Sequence, residues 1–119
     1  MALDWVQHAL RQRLGFAPFP ATLNMRPETR KDLQAWEAVR SELEGIPLES
    51  SVGGFCSARL FRVEIHNPVD ARQATTKGAV LLPEVRGYPK NKIEIVAAVR
   101  LKDELGVEDG DQLTLEFVN

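Results

Sequence analysis

The chain has 119 residues, 44% of them hydrophobic and 27% charged, which is the size and composition of one globular domain spanning residues 1–119. Fifteen basic and seventeen acidic residues give a net charge of −2, which argues against a general nucleic-acid-binding protein because such proteins usually have a basic surface. The single cysteine, the lack of a run of about 18 apolar residues, and a start without a secretory signal together predict a cytoplasmic protein with no membrane partner.

Two amphipathic helices are predicted in the first part of the chain. Residues 4–14 place apolar side chains at helical spacing, and Gly15 provides a stop. A second helix is expected to begin after Pro27, to end at Gly45 and to cover a sheet. Trp5 and Trp36 lie on the apolar stripes of these helices, so we expect both in the core.

Strands dominate the rest of the chain. Residues 59–66 alternate apolar and polar side chains, as a half-buried antiparallel strand does, and residues 78–83 and 93–96 form shorter apolar strands around a polar loop at 84–92. A short helix at 99–105 ends at Gly106, residues 108–111 form a tight turn, and 112–118 alternate as a last strand. Because no βαβ rhythm is present, we predict a mainly β, α+β fold: a small barrel with two amphipathic helices and one short helix.

The most informative polar pair lies in the proline-rich segment at residues 14–27, which begins as a stiff elbow and continues into a strand. Thr22 and Asn24 stand two apart on this strand, so their side chains face the same side. Hydroxyl and amide oxygens are hard ligands suited to Mg²⁺, which takes few protein groups and fills its shell with water and phosphate. Alternatively, Thr22 pairs across strands and Asn24 satisfies a turn.

Other sites of known chemistry are not indicated. The sequence has no glycine-rich phosphate loop of the Walker or dinucleotide type and no His-Glu-x-x-His metal motif. His8 and His66 have no acidic companions at ligand spacing and are interpreted as solvated or capping residues. Cys56 has no partner that marks it as a nucleophile, so a passive thiol is expected.

Four segments together resemble the CTP-dependent riboflavin kinases. They are GFAPFPATLN at 15–24, GAVLLP at 78–83, IEIVA at 93–97 and LKDELGVEDGD at 101–111. The resemblance implies a six-stranded cradle-loop barrel that transfers a phosphoryl group from CTP to riboflavin, giving FMN and CDP. It also implies that Mg²⁺ is held by Thr22 and Asn24, that Glu94 contacts the flavin, and that the nucleotide is contacted by Val99, Arg100, Leu101 and Lys102.

These implied roles agree with the needs of phosphoryl transfer, which are alignment of donor and acceptor and neutralisation of charge. Arg100 can clamp phosphate oxygens in a fork and Lys102 adds a mobile charge. A solvated helix face is the alternative interpretation of both. Glu94 has the chemistry of a general base, although the sequence does not place it near the accepting hydroxyl.

The chain also departs from the family pattern at two places. Only Met1 to Asp4 precede the first helix, so we expect the family's opening strand and glycine-rich loop to be absent and an exposed strand edge to be covered within the chain or paired in a homodimer. Gly53-Gly54 or Gly87 could form a substitute loop, or simply flexible turns. Arg86 stands where the family commonly has a flavin-contacting Thr, and an arginine suits an anionic ligand such as a phosphorylated flavin.

Three functions therefore remain open. The first is the riboflavin kinase. The second is a module that binds a flavin or nucleotide without catalysis. The third is a DNA-binding or scaffold protein built on a swapped-hairpin-like barrel, with a local basic patch of Arg11, Arg13, Arg26, Arg30 and Lys31.

Overall fold

The computed structural model describes residues 10–19, 22–48, 58–69, 75–84 and 86–118. These form one antiparallel sheet with three helices. Helix α1 is described over residues 10–14. The remaining elements, in chain order, are β1 (Leu23–Met25), α2 (Arg30–Glu42), β2 (Ile46–Leu48), β3 (Ala58–His66), β4 (Thr75–Pro83), β5 (Ile93–Val96), α3 (Leu101–Leu105) and β6 (Thr114–Phe117).

The sheet is built around the long strand β3. One side of β3 pairs with β4 along its whole length, while the other side pairs first with β2 and then with β6. The path continues from β4 to β5 and ends at β1. Because β3 serves two partners in succession, the sheet curls into a half-barrel. The six antiparallel strands are confirmed, but among the described strand pairs none joins β1 to β6, so closure into a barrel is not observed.

Each predicted helix is present where the structure describes it. Gly15 follows α1 and donates its backbone N–H to the carbonyl of Arg11, as a helix end requires. Helix α2 begins with a capping box in which Thr29 and Asp32 each accept from the other's backbone N–H. It ends at Glu42 rather than at Gly45, because Leu43 already has an extended backbone.

Alternating strand positions separate the sheet into two faces. The α2 face is apolar throughout its centre: Trp36 of the helix packs among Phe61, Val63, Ile65 and residues of β4 and β5. On the α1 face, Leu10 and Leu14 pack against a smaller set that includes Leu60. The prediction that Trp36 is a core residue is confirmed, whereas Trp5 lies outside the described residues.

Two strands differ from expectation. Strand β4 begins at Thr75, before the predicted start at residue 78. Gly78 lies inside it at a close approach of the next strand, because a Cβ there would stand 2.8 Å from the carbonyl oxygen of Val96. Strand β2 was not predicted: it has three residues, with Pro47 in its centre, and proline is normally confined to sheet edges.

The end of the chain follows the predicted order with shorter elements. Helix α3 spans five residues and ends at Gly106, whose φ of 65° is a left-handed conformation that glycine adopts without strain. The carboxylate of Asp111 and the backbone of Glu108 close the predicted turn. Among the described residues, no helix has the length and apolar character needed to cross a bilayer.

Candidate functional site

Strand pairing brings together two residues that are far apart in sequence. In the antiparallel ladder of β1 and β5, Asn24 is directly opposite Glu94, so both side chains lie on the α1 face at neighbouring positions. Thr22 directly precedes β1, two positions before Asn24. Asn24 is exposed, and Thr22 and Glu94 are half-buried. An amide, a hydroxyl and a carboxylate therefore stand at one edge of the sheet.

Glu94 is held from one side. The hydroxyl of Tyr88 donates to Glu94 Oε1 at 2.7 Å, and Lys92 Nζ lies 3.3 Å from the same oxygen. Burial raises the pKa of Tyr88, and the hydrogen bond and charge of Glu94 raise it further, because all three disfavour the phenolate. Oxygen Oε1 is thus engaged by the protein, while no described residue bonds to Oε2.

The side chains of Thr22 and Asn24 offer oxygen atoms of the kind that Mg²⁺ accepts as ligands. Neither side chain forms a hydrogen bond with another described residue, and Asn24 is exposed toward solvent. Both offer neutral oxygens, and Glu94 adds a carboxylate nearby. A hard cation that retains several waters fits such a sparse donor set. Their role as ligands remains a prediction.

The elbow also meets the segment that leads to α3. The backbone N–H of Phe19 donates to the carbonyl of Ala97 at 2.7 Å. Ala97 directly follows β5, and Phe19 lies three residues before Thr22. The predicted metal ligands precede or lie in β1, which pairs with β5, and the predicted nucleotide segment at residues 99–102 follows β5. The two segments therefore lie at the same strand, β5.

Within that nucleotide segment, the four residues have different environments. Val99 is 40% exposed, whereas the side chain of Leu101 is buried in the core, so a ligand contact at Leu101 has to come from its main chain. Arg100 is paired with Asp103 at 2.6 Å and Lys102 with Asp109 at 2.5 Å. Both cations are therefore engaged within the protein.

The pairing of Lys102 also acts on its partner. The hydrogen bond and charge of Lys102 hold the pKa of Asp109 below its usual range, because they favour the carboxylate. A phosphate that binds Lys102 has to compete with this carboxylate.

A second group of metal-capable side chains lies elsewhere on the α1 face. Glu64 is directly opposite Glu116 in the β3–β6 ladder. The atoms that these carboxylates and His66 could offer to a metal lie within 4.8 Å of one another. His66 Nε2 lies 3.5 Å from Glu116 Oε2, so the interpretation that His66 has no acidic companion is wrong: strand pairing brings Glu116 beside it. The predicted placement of His66 at a strand end is confirmed.

The sequence interpretation missed the residues that surround Glu94. Tyr88 and Lys92 lie in the loop between β4 and β5, and no local pattern marks either as a partner of Glu94. Arg86, predicted to bind the flavin, is exposed in the same loop. His8, Cys56 and the Gly53-Gly54 pair lie outside the described residues.

The fold is a curled antiparallel half-barrel, and the hydroxyl, amide and carboxylate oxygens of Thr22, Asn24 and Glu94 lie at one edge of its sheet. The family model CTP-dep_RFKase, described as "Domain of unknown function DUF120", matches residues 1–117. The chain belongs to this family, the CTP-dependent riboflavin kinase domain.

Several curated relatives that match the chain carry the name riboflavin kinase. The protein from Pyrobaculum calidifontis is 34% identical over 98% of this chain and 51% of its own length. The protein from Pyrobaculum arsenaticum is 30% identical over 99% of this chain and 53% of its own length. The protein from Aeropyrum pernix is 32% identical over 92% of this chain and 79% of its own length. The chain spans about half the length of most of the curated relatives it matches.

Proposed function

We propose that this protein is a Mg²⁺-dependent riboflavin kinase that uses CTP. In the reaction, the bond between the terminal phosphorus of CTP and its bridging oxygen breaks, and a bond forms between that phosphorus and the terminal ribityl oxygen of riboflavin. The products are FMN and CDP, and the hydroxyl proton is released. Membership of the family and the names of its relatives support this function over a DNA-binding or scaffold role.

The observation that carries the proposal is the opposition of Asn24 and Glu94 across the β1–β5 ladder. It brings a predicted metal ligand and a predicted flavin contact to neighbouring positions without help from any loop. The Phe19–Ala97 hydrogen bond ties the elbow to the end of β5, two residues before the predicted nucleotide segment begins at Val99. Phosphoryl transfer depends mainly on such positioning of donor and acceptor.

Thr22 and Asn24 would hold the Mg²⁺ through their side-chain oxygens. When bound, this ion neutralises charge on the phosphate oxygens. The protein's own contribution is to fix both oxygens on one strand, close to where the acceptor binds. Two arrangements of the β1 edge are compatible with this proposal. Either β1 pairs with β6 and closes the six strands into the family's cradle-loop barrel, or it pairs with a second copy of the chain in a homodimer.

Glu94 would contact the flavin through Oε2, because Tyr88 and Lys92 engage Oε1. An ionised carboxylate only accepts hydrogen bonds. The ligand group at this position must therefore be an N–H or O–H donor, and riboflavin has both kinds. Arg100 and Lys102 would exchange their carboxylate partners for phosphate oxygens when CTP binds.

Incubation of the purified chain with riboflavin, Mg²⁺ and either CTP or ATP tests the proposal directly. We expect FMN with CTP and markedly less with ATP, detected by chromatography of the flavin. Calorimetric titrations with riboflavin and CTP run alongside. Binding without FMN from any nucleotide would point to the non-catalytic module, and absence of both binding and product would reject both functions.

A further inference from the structure

A cleft beside Tyr88 is lined by positive charge, including that of Arg86, to which the proposed reaction has so far given no role. It has a volume of about 540 Å³ and lies where the end of α2 meets the end of β4. Three guanidinium groups and one carboxylate line it, so the lining has a net positive charge. The lining residues are Arg40, Arg59, Leu82, Pro83, Glu84, Arg86 and Tyr88.

Arg59 forms the fixed wall of this cleft. Its guanidinium donates to the carbonyl of Arg40 at 3.2 Å and to that of Leu43 at 3.5 Å, which ties it to the end of α2. It also lies 5.3 Å from the centroid of the Phe61 ring and 3.3 Å from the carboxylate of Glu84. Arg59 therefore has a structural role, and Glu84 offsets part of its charge.

Arg40 and Arg86 are the two cations left to act on a ligand. The guanidinium carbon of Arg40 lies 6.0 Å from the centroid of the Trp36 ring, and Arg86 is exposed in the loop after β4. Neither forms an ion pair with another residue in the described ranges. Like charges that line one cleft repel each other, and an anion between them offsets this repulsion.

Tyr88 connects this cleft to the candidate site. It lines the cleft, and its hydroxyl donates to Glu94 Oε1. A tyrosine is neutral at physiological pH, and the raised pKa of Tyr88 reinforces this, so Tyr88 adds no negative charge to the lining. An anion in the cleft would therefore lie next to the residue that holds the proposed flavin contact.

We propose that the cleft formed by Arg40, Arg59 and Arg86 binds the phosphate group of a phosphate ester. Planar guanidinium groups donate paired hydrogen bonds that match phosphate oxygens. The phosphate could belong to FMN or to a nucleotide, and these assignments rest on the proposed function. Binding of phosphate itself does not.

Calorimetric titration of the full chain with inorganic phosphate tests the site independently of catalysis. We expect saturable binding that weakens about tenfold in Arg86→Gln and further in the double variant Arg40→Gln/Arg86→Gln. Arg30→Gln is the matched control: Arg30 is an exposed arginine at the other end of α2, and its loss should leave phosphate binding unchanged. Binding that is absent in the wild type, or equal in all variants, would overturn the proposal.

A second set of titrations identifies the source of the phosphate. FMN and riboflavin are followed by flavin fluorescence, and CTP by calorimetry. If FMN supplies the phosphate, it binds more tightly than riboflavin, and the double variant removes the difference. If a nucleotide supplies it, only CTP binding weakens. Unchanged affinity of the double variant for all three compounds would mean that the cleft takes no phosphate ester and would reject the proposal, whatever the outcome of the kinase assay.

Discussion

The two faces of the sheet differ in what their alternating positions carry. On the α2 face, strand after strand contributes apolar side chains, and Trp36, Phe61 and Phe117 pack with ring centroids 5.9–6.4 Å apart. On the α1 face, apolar packing is limited to a smaller cluster, and the positions around it hold Asn24 and Glu94 at one end and Glu64 at the other.

In this sheet, the positions that form the apolar core alternate with the positions of the proposed site. Because neighbouring strand residues point to opposite faces, Leu23 and Met25 pack against the core while Asn24 between them remains exposed. The apolar face fixes the strand register, and that register places Asn24 opposite Glu94. Changes on one face should therefore affect folding, and changes on the other should affect ligand binding and turnover.

The largest effect is expected at Trp36, which is 3% exposed at the centre of the α2 face. Trp36→Ala removes the ring that contacts both Phe61 and Phe117, so we expect a loss of about 3–5 kcal/mol in the free energy of unfolding. Urea denaturation followed by circular dichroism measures it.

Trp36→Phe is the control for this loss. No described residue accepts a hydrogen bond from the indole Nε1, so phenylalanine loses no hydrogen bond to the described protein, and we expect a cost below about 2 kcal/mol. A loss of less than about 1 kcal/mol in the alanine variant would show that the α2 face does not dominate stability.

Asn24→Ala tests the other face. If Asn24 is a metal ligand, turnover should fall about 100-fold, equivalent to about 2.7 kcal/mol in activation free energy. Because Asn24 is exposed and makes no hydrogen bond to a described residue, the free energy of unfolding should hardly change. FMN formation and urea denaturation are measured on the same preparation.

Gln34→Ala provides the comparison for Asn24→Ala, since it removes an equally exposed amide from α2 and should leave turnover at the wild-type level. Destabilisation by Asn24→Ala, with turnover of the remaining folded fraction intact, would instead assign Asn24 a purely structural role.

A smaller effect is expected at Tyr88, the only tyrosine of the chain. Its raised pKa in the folded protein means that its contribution to stability is present below about pH 10, the unfolded value, and is lost as the pH rises further. Tyr88→Phe should cost about 1 kcal/mol at neutral pH. In wild-type protein, ionisation of Tyr88 should lower the free energy of unfolding above pH 10, and this decrease should be absent in Tyr88→Phe.

Ultraviolet absorbance of the tyrosinate reports on Tyr88 alone. Folded protein should titrate at higher pH than protein in urea. Equal titration curves in the two states would show that the hydrogen bond to Glu94 does not form in solution. If Glu94 contacts the flavin as proposed, the KM for riboflavin should rise in Tyr88→Phe more than kcat falls, because the hydroxyl of Tyr88 orients Glu94 through its hydrogen bond.

Local patterns in the sequence predicted much of the fold but only part of the site. Alternation identified β3, helical spacing identified α2, and Gly106 marked the end of α3, because each of these signals lies within a few residues. The hydrogen bond between Tyr88 and Glu94 and the cleft of Arg40, Arg59 and Arg86 depend on strand register and on how a loop folds back. Contacts of this kind produce no periodic pattern in the sequence.

Strand β2 escaped prediction for a related reason. Three residues are too few to show alternation, and Pro47 by itself disfavours the prediction of a strand from the local sequence. Its place is set by β3, which offers a free edge at Ala58 to Leu60 before β6 begins to pair. The partner, and not the segment itself, determines this strand.

The smallest effect is expected at Asp109, which is fully exposed and pairs with Lys102. Its lowered pKa means that the pair is complete at neutral pH and is lost as the pH falls through the acid range. Asp109→Asn should therefore leave thermal stability nearly unchanged at pH 7.

Asp109→Asn also removes a negative charge and frees Lys102, so CTP should bind up to about threefold more tightly at low ionic strength. Added salt should remove this gain in affinity. Asp103→Asn, which frees Arg100 in the same way, is the matched comparison in the calorimetric titration. If neither variant tightens CTP binding, then the nucleotide does not take over these two cations, and the charge on α3 belongs to the surface rather than to the site.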